Sequence, residues 1–193
     1  MSKVVFDISM SLDGFMTAAN QTPEEPLGEG GERLHEWAFG DDPADREVFA
    51  RGAGSLGAVI CGWRTYVDSL PFWEADGPTG AARVPVFVVC HEVPGNVPEG
   101  GVYSFVTEGI EAARKQAQAA AGDKDVTVMG GADVGRQFID AGLVDELSIH
   151  VVPVLFGGGT RMFEDLGNGQ VQLEPLGSVQ TPAATHLRFR VAR

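Results

Sequence analysis

The sequence predicts a mixed α/β fold whose sheet is parallel at first and antiparallel at its C-terminal edge. Three observations carry this. Short apolar runs of strand length recur along the chain, and helical patterns follow most of the early ones, which calls for parallel pairing through crossovers. Glycines stand where strands run into helices. The last two strand patterns lie too close together for a crossover and read as an antiparallel hairpin.

Each element has its own signal. Val4 to Ile8, Ala58 to Cys61, Val84 to Cys90, Val102 to Val106 and Asp125 to Met129 read as strands. The Ala-rich stretch Glu108 to Ala121 reads as a helix, with Thr107 as N-cap and Gly122 as its stop. A second helix is expected from about Ala132 to Ala141, ending at Gly142. The remainder reads as β: Asp145 to Leu155, Val171 to Gln180 and Ala184 to Val191, the last two joined around Thr181-Pro182. Ala18 to Gly31 reads as a long mobile loop, a lid or a plain insertion, and Ser69 to Arg83 as a second irregular stretch.

Composition narrows the function. A chain of 193 residues with 44% hydrophobic residues can bury a sizeable core within one domain, residues 1–193. Its net charge of -13 argues against nucleic acid as a partner, because a phosphate backbone needs a basic face. Arg188, Arg190 and Arg193 cluster near the C-terminus, and strand alternation reads them as a solvated face. The first residues hold no long apolar segment, and no run of 18 apolar residues occurs, so a cytoplasmic protein without signal peptide or membrane span is expected. Cys61 and Cys90 read as buried free thiols, and the four histidines show no metal-ligand spacing.

The chemistry-bearing candidates sit at turns. Val128-Met129-Gly130-Gly131-Ala132 is a strand, a diglycine turn and a helix start, which reads either as a tight βα turn or as a cradle of backbone N–H groups for phosphate. Its glycines do not match G-x-G-x-x-G, so a Rossmann domain is disfavoured. Asp133, one turn from such a phosphate, is expected to face solvent. Cys61-Gly62-Trp63-Arg64-Thr65-Tyr66 repeats the strand–glycine–helix pattern, with a guanidinium able to fork onto phosphate and a hydroxyl beside it. Two such turns favour one ligand with more than one phosphate.

Asp13-Gly14, after the first strand, is a turn signal, or a carboxylate placed to orient a polar substrate. Gly157-Gly158-Gly159 permits close approach by a ligand or a backbone, or forms a flexible bend, with Arg161 as an anion contact or a surface charge. His150 and His35 read as structural, whereas His91 directly follows a strand and is placed to reach a cofactor edge. Equipment for hydrolysis is missing from the sequence. Hydride transfer asks less of a protein, because the cofactor carries the chemistry and the protein orients it.

Taken together, Ser11-Leu12-Asp13-Gly14-Phe15, Gly62-Trp63-Arg64-Thr65-Tyr66 and Val128-Met129-Gly130-Gly131 resemble the dihydrofolate reductase-like superfamily, and Leu143-Val144-Asp145-Glu146-Leu147 followed by Val152-Pro153-Val154-Leu155-Phe156-Gly157 is similar to one branch of it. That nearer branch contains the reductase (C-terminal) domain of the bifunctional riboflavin-biosynthesis deaminase-reductase. The resemblance spans nearly the whole chain. It implies a mainly parallel sheet flanked by helices, NADPH across the C-terminal strand edges, and a homodimer. It assigns Gly62, Arg64 and Thr65 to cofactor phosphates, and Gly130, Gly131 and Ala132 to the pyrophosphate. Asp13 would border the nicotinamide and substrate.

Two departures matter. Relatives commonly carry two basic residues after the first glycine, and Trp63 in place of one weakens the expected preference for NADPH over NADH. The zinc-deaminase half of the riboflavin enzyme, with its H-x-E and P-C-x-x-C pattern, is also absent from this sequence. The expectation is an NAD(P)H-dependent reductase acting on a pteridine-, folate- or ribosylaminopyrimidine-like heterocycle or a sugar-like substrate. The alternative is a nucleotide-binding module of the same fold without turnover.

Overall fold

A computed structural model describes residues 2–164, 166–167 and 169–192. Its strands are β1 (Val4–Ser11), β2 (Leu56–Gly62), β3 (Val86–Val89), β4 (Tyr103–Val106), β5 (Asp125–Met129), β6 (Glu146–Val152), β7 (Leu173–Gln180) and β8 (Thr185–Val191). They form one sheet in the order β4-β3-β2-β5-β1-β6-β8-β7. β1 through β6 pair in parallel, whereas β8 runs antiparallel to both β6 and β7. Thr181 closes the last hairpin, its Oγ1 accepting from the Ala184 amide at 3.0 Å.

The helices are α1 (Glu36–Phe39), α2 (Pro43–Ser55), α3 (Trp63–Trp73), α4 (Ile110–Ala121) and α5 (Ala132–Asp140), with 3-10 turns at Gly31–His35 and Gly77–Ala82. β-Strand alternation divides their work. Val4, Phe6 and Ile8 of β1 point to one face, where Ala113, Ala117, Val134 and Phe138 of α4 and α5 cover them. On the other face two separate clusters form. Tyr66 of α3 packs on Val59, Cys61, Val86 and Val88, while Leu34 and Trp37 pack on Val152 and Ala184. Between them the alternate residues of β1 and β5 (Val5, Asp7, Thr127 and Met129) remain only half-buried, and a cleft lies over that strip.

Several expectations need correction. Helix α4 starts at Ile110 after Gly109, whose φ of 93° suits glycine, and the Thr107 hydroxyl donates to the Glu108 carboxylate rather than capping. The stretch expected to be irregular from Ser69 is helical to Trp73, with Pro71 inside α3, and turns 3-10 at Gly77–Ala82. Helix α2 had no clear sequence signal beyond Asp42 and Pro43. Asp42 caps it, accepting from the Ala44 amide at 2.8 Å.

The segment from Ala18 to Gly31 folds back on itself through bonds from the Ala18 amide to the Leu27 carbonyl (2.7 Å) and from the Glu29 amide to the Ala19 carbonyl (3.0 Å). Gly159 serves backbone approach, since a Cβ there would lie 2.0 Å from the Thr17 carbonyl oxygen. The C-terminal arginines are not simply solvated. Arg188 donates to Glu146 at 2.6 Å and Arg190 to Glu174 at 3.2 Å, while Arg193 lies outside the described residues. Cys61 and Cys90 are buried free thiols, and burial pushes Cys61 up to about 12. Among the described residues, no helix is long and apolar enough to cross a membrane, and no three His, Cys, Asp or Glu side chains are arranged to hold a metal ion.

Candidate active site

The two glycine turns meet. Gly130 and Gly131 have φ of 59° and 70°, and a Cβ on Gly130 would come within 2.8 Å of Thr65 Cγ2. A Cβ on Gly131 would stand 3.3 Å from Thr65 Oγ1, and one on Gly62 would press to 2.9 Å of Val134 Cγ2. Each glycine is thus required by the contact between the start of α3 and the start of α5. No side chain caps either helix, so the first N–H groups of both are left for another acceptor. Two uncapped N-termini on one wall suit an anionic ligand with two charged groups.

That wall belongs to a cleft of about 2280 Å³. It brings together Gly62, Trp63, Arg64 and Thr65 from the first turn, Gly130, Gly131 and Ala132 from the second, and His91 after β3. Arg64 is exposed and forms no ion pair among the described residues, which leaves its guanidinium available. Asp133 also lines the cleft and is tied by Gln137, whose side-chain N–H donates to it at 3.3 Å. These residues fit the diphosphate of a nicotinamide dinucleotide in donor chemistry, with the uncapped N–H groups of two helix starts and an exposed guanidinium on one wall.

Asp13 does not line this cleft. Its carboxylate accepts from Ser11 Oγ at 2.6 Å, from the Gly157 amide at 2.7 Å and from the Phe156 amide at 3.1 Å. The Ser11 hydroxyl and those two amides, outweighing some burial, bring its carboxyl down to about 2. Geometrically it is a clasp between the loop after β1 and the segment after β6. Arg161 joins that clasp, stacked 4.4 Å over the Phe15 ring and donating to the Asp13 carbonyl at 3.1 Å.

A carboxylate that does open into the cleft, over the half-buried strip, is Asp7 on β1. Behind it runs a chain of ring and carboxylate contacts. Asp7 Oδ2 lies 3.3 Å from His150 Nε2, His150 Nδ1 lies 2.8 Å from His186 Nδ1, and His186 Nε2 lies 2.7 Å from Asp45 Oδ1. His150 and His186 face each other across the β6–β8 pair, and Asp45 reaches them from α2. Trp37 covers the rings, 4.2 Å from His150 between centroids, and its Nε1–H donates to Ser9 Oγ at 2.9 Å.

Sequence reasoning read His150 as structural and passed over Asp7, Asp45 and His186. One signal was present: Asp7 is a carboxylate inside the apolar run Val4 to Ile8, where an unpartnered charge is costly.

An eight-stranded sheet with this order, an antiparallel edge and helices on both faces is a dihydrofolate reductase-like fold. The chain belongs to the RibD C-terminal domain family, whose sequence model matches residues 2–187. No match was found among curated protein sequences. A protein of Shewanella sp. PV-4 described as a riboflavin biosynthesis protein superposes with a TM-score of 0.74 at 21% identity, covering 99% of each chain. Acinetobacter baumannii RibD superposes at 0.67 and 20% identity over all of this chain and 59% of its own. The Thermotoga maritima diaminohydroxyphosphoribosylaminopyrimidine deaminase/5-amino-6-(5-phosphoribosylamino)uracil reductase does so at 0.63 and 14%, over 99% of this chain and 57% of its own. Likeness at these identities speaks to the fold.

Proposed function

We propose that the protein is an NAD(P)H-dependent reductase of the riboflavin-biosynthesis type, acting on a small polar heterocycle such as a ribosylaminopyrimidine. The observation that carries this reading is the meeting of two uncapped helix starts at Gly62–Thr65 and Gly130–Ala132 on one cleft wall. When bound, a reduced nicotinamide supplies hydride to a C=N or C=O carbon. Gly130, Gly131 and Ala132 hold the pyrophosphate by backbone N–H groups, Arg64 and Thr65 take a further phosphate, and His91 borders the cofactor. The half-buried strip of β1 and β5 receives the substrate ring.

Family membership supports oxidoreductase chemistry over a binding module that turns nothing over. With Arg64 as the cation beside Gly62 and Trp63 in place of a second, NADPH is preferred over NADH by a narrow margin. In this reading Asp13 acts on the substrate indirectly, by holding the loop after β1 in place. A cytoplasmic homodimer completes it, with the exposed Leu12, Phe39 and Leu155 as apolar surface for a partner.

Fluorescence titration with NADPH and NADH, then single-turnover oxidation with 5-amino-6-(5-phosphoribosylamino)uracil and a panel of related heterocycles, tests the reading. Saturable binding with loss of the reduced cofactor supports the reductase. Saturable binding with no oxidation across the panel supports the module, and no binding removes both.

A further inference from the structure

The contacts behind Asp7 raise a counting question. Four groups in a row make three contacts of hydrogen-bond type, and each needs one proton. Two carboxylates and two neutral imidazoles bring only two. If both rings carried their proton on Nε2, toward their carboxylates, two lone pairs would face each other across the 2.8 Å between the Nδ1 atoms. A hydrogen bond in every one of the three contacts therefore requires one proton more than the neutral-ring form holds.

The place of that proton follows from the surroundings. His186 is enclosed, and burial holds it below its ordinary value against the pull of Asp45. A neutral His186 donates Nε2–H to Asp45 and offers its Nδ1 lone pair to Nδ1–H of His150. This fixes the orientation of His150 and leaves its Nε2 as the atom that trades a proton with Asp7. The contacts are close inside the chain, at 2.7 and 2.8 Å, and looser at the cleft end, at 3.3 Å. Burial pushes the Asp7 carboxyl up, but its bond to His150, the imidazole charge and Ser148 together hold it below the usual value. The extra proton is thus placed in the His150 Nε2–Asp7 contact, at the cleft end of the chain.

We propose that Asp7 is the proton donor of the cleft and that His150, His186 and Asp45 form the buried relay that supplies it. The proposal rests on the reductase reading, which requires a proton for every hydride. As the substrate carbon gains hydride, its C=N or C=O π bond breaks and the heteroatom takes a proton from the Asp7 carboxyl. Asp7 receives the proton of His150 Nε2, leaving a neutral imidazole that keeps Nδ1–H toward His186. Solvent entering the cleft after product release restores the lost proton. His186 and Asp45 are positioning residues, since neither needs to touch substrate. The other ionisable groups facing Asp7 are His35 from the 3-10 turn and, further along the same sheet face, Lys3, Glu146 and Arg188.

The test begins without cofactor. In ¹⁵N-histidine NMR of the ligand-free protein, a coupling across the Nδ1–H···Nδ1 bond is expected between His150 and His186. Asp7→Asn should strip the proton from His150 Nε2 at a pH where the wild type keeps it. Absence of the coupling, or a His150 Nε2 unmoved by Asp7→Asn, overturns the relay. With NADPH and 5-amino-6-(5-phosphoribosylamino)uracil as probe, Asp7→Asn should lower kcat by about 100-fold or more while KM and NADPH affinity hold. Asp45→Asn should displace the pH profile of kcat rather than KM.

Full kcat in Asp7→Asn overturns the proposal even where the NMR coupling is present. Should the wild type leave the probe and NADPH unchanged, the reductase reading falls, and the spectra still decide whether the proton chain exists. If Asp45→Asn fails to fold, Asp7→Asn, whose side chain opens to the cleft, carries both arms.

Discussion

Gly62→Ala is the substitution that most sharply tests how the cofactor wall is built. Gly62 has φ of -83° and ψ of 163°, a conformation that alanine adopts freely, so backbone strain plays no part. The cost comes from one contact. The new methyl would lie 2.9 Å from Val134 Cγ2, roughly 0.5–1 Å inside the optimum carbon–carbon separation of about 3.5–4.0 Å. Overpacking of that kind costs about 1–3 kcal/mol. Loss of glycine at the N-cap position of α3 adds to this.

Val134→Ala removes two buried methyl groups and should cost about 1.5–2.5 kcal/mol from transfer and cavity together. Combining the two lets the new methyl occupy the space that Cγ2 vacates. The double variant should therefore be more stable than the sum of the single effects by at least ~1 kcal/mol. Urea unfolding of the four proteins gives the coupling, and NADPH titration of the same set should show affinity lost in Gly62→Ala and partly regained in the double variant. Strict additivity would mean that the starts of α3 and α5 do not bear on each other, and the argument for a shared phosphate wall would fail with it.

Other outcomes follow from the same structure. Arg64→Ala should weaken NADPH binding by roughly 1–3 kcal/mol through loss of a charge-assisted bond, and unchanged affinity in titration removes Arg64 from the site. Glu146 is pushed up by burial but held below 4.5 by its bonds to Lys3 and Arg188. Its folded form binds a proton less readily than the unfolded chain, so its contribution is complete above about pH 4.5 and is lost as pH falls through the lower folded value. Glu146→Gln should flatten that acid limb in thermal unfolding, and an unchanged limb contradicts the assignment. Asp13→Ala should speed hydrogen exchange at the Phe156 and Gly157 amides, since both lose their acceptor. The wild-type protection should persist down to about pH 2, where the Asp13 carboxyl titrates.

What could be read from the sequence was what short-range chemistry dictates. Strand β5, the diglycine and helix α5 were legible because an apolar run, two glycines and a helical stripe follow one another without a gap. Helix α2 was not, because Gly52 and Gly54 interrupt it and Asp45, Arg46, Glu47 and Arg51 blur its apolar side. Thr107 had the right residue type for a cap, but Glu108 beside it offered a carboxylate that captures the hydroxyl.

In the cleft the same division holds. Gly62–Thr65 and Gly130–Ala132 are local motifs, and their meeting needed only the order of neighbouring strands. The Asp7–His150–His186–Asp45 chain draws its members from β1, β6, β8 and α2, and only the register of the β6–β8 pair sets the two imidazoles face to face. Asp13 shows the converse. Its position at the mouth of the sheet suggested a ligand contact, yet amides 143 and 144 residues further along the chain occupy its oxygens.

The central claim is direct hydride transfer within this cleft. The measurement closest to it uses NADPH deuterated on one face of the nicotinamide C4, with 5-amino-6-(5-phosphoribosylamino)uracil as acceptor and mass spectrometry of the product. The account predicts one deuterium per product molecule from one of the two C4-deuterated forms and none from the other. A product carrying only solvent hydrogen, or no product from a protein that binds NADPH saturably, would contradict it.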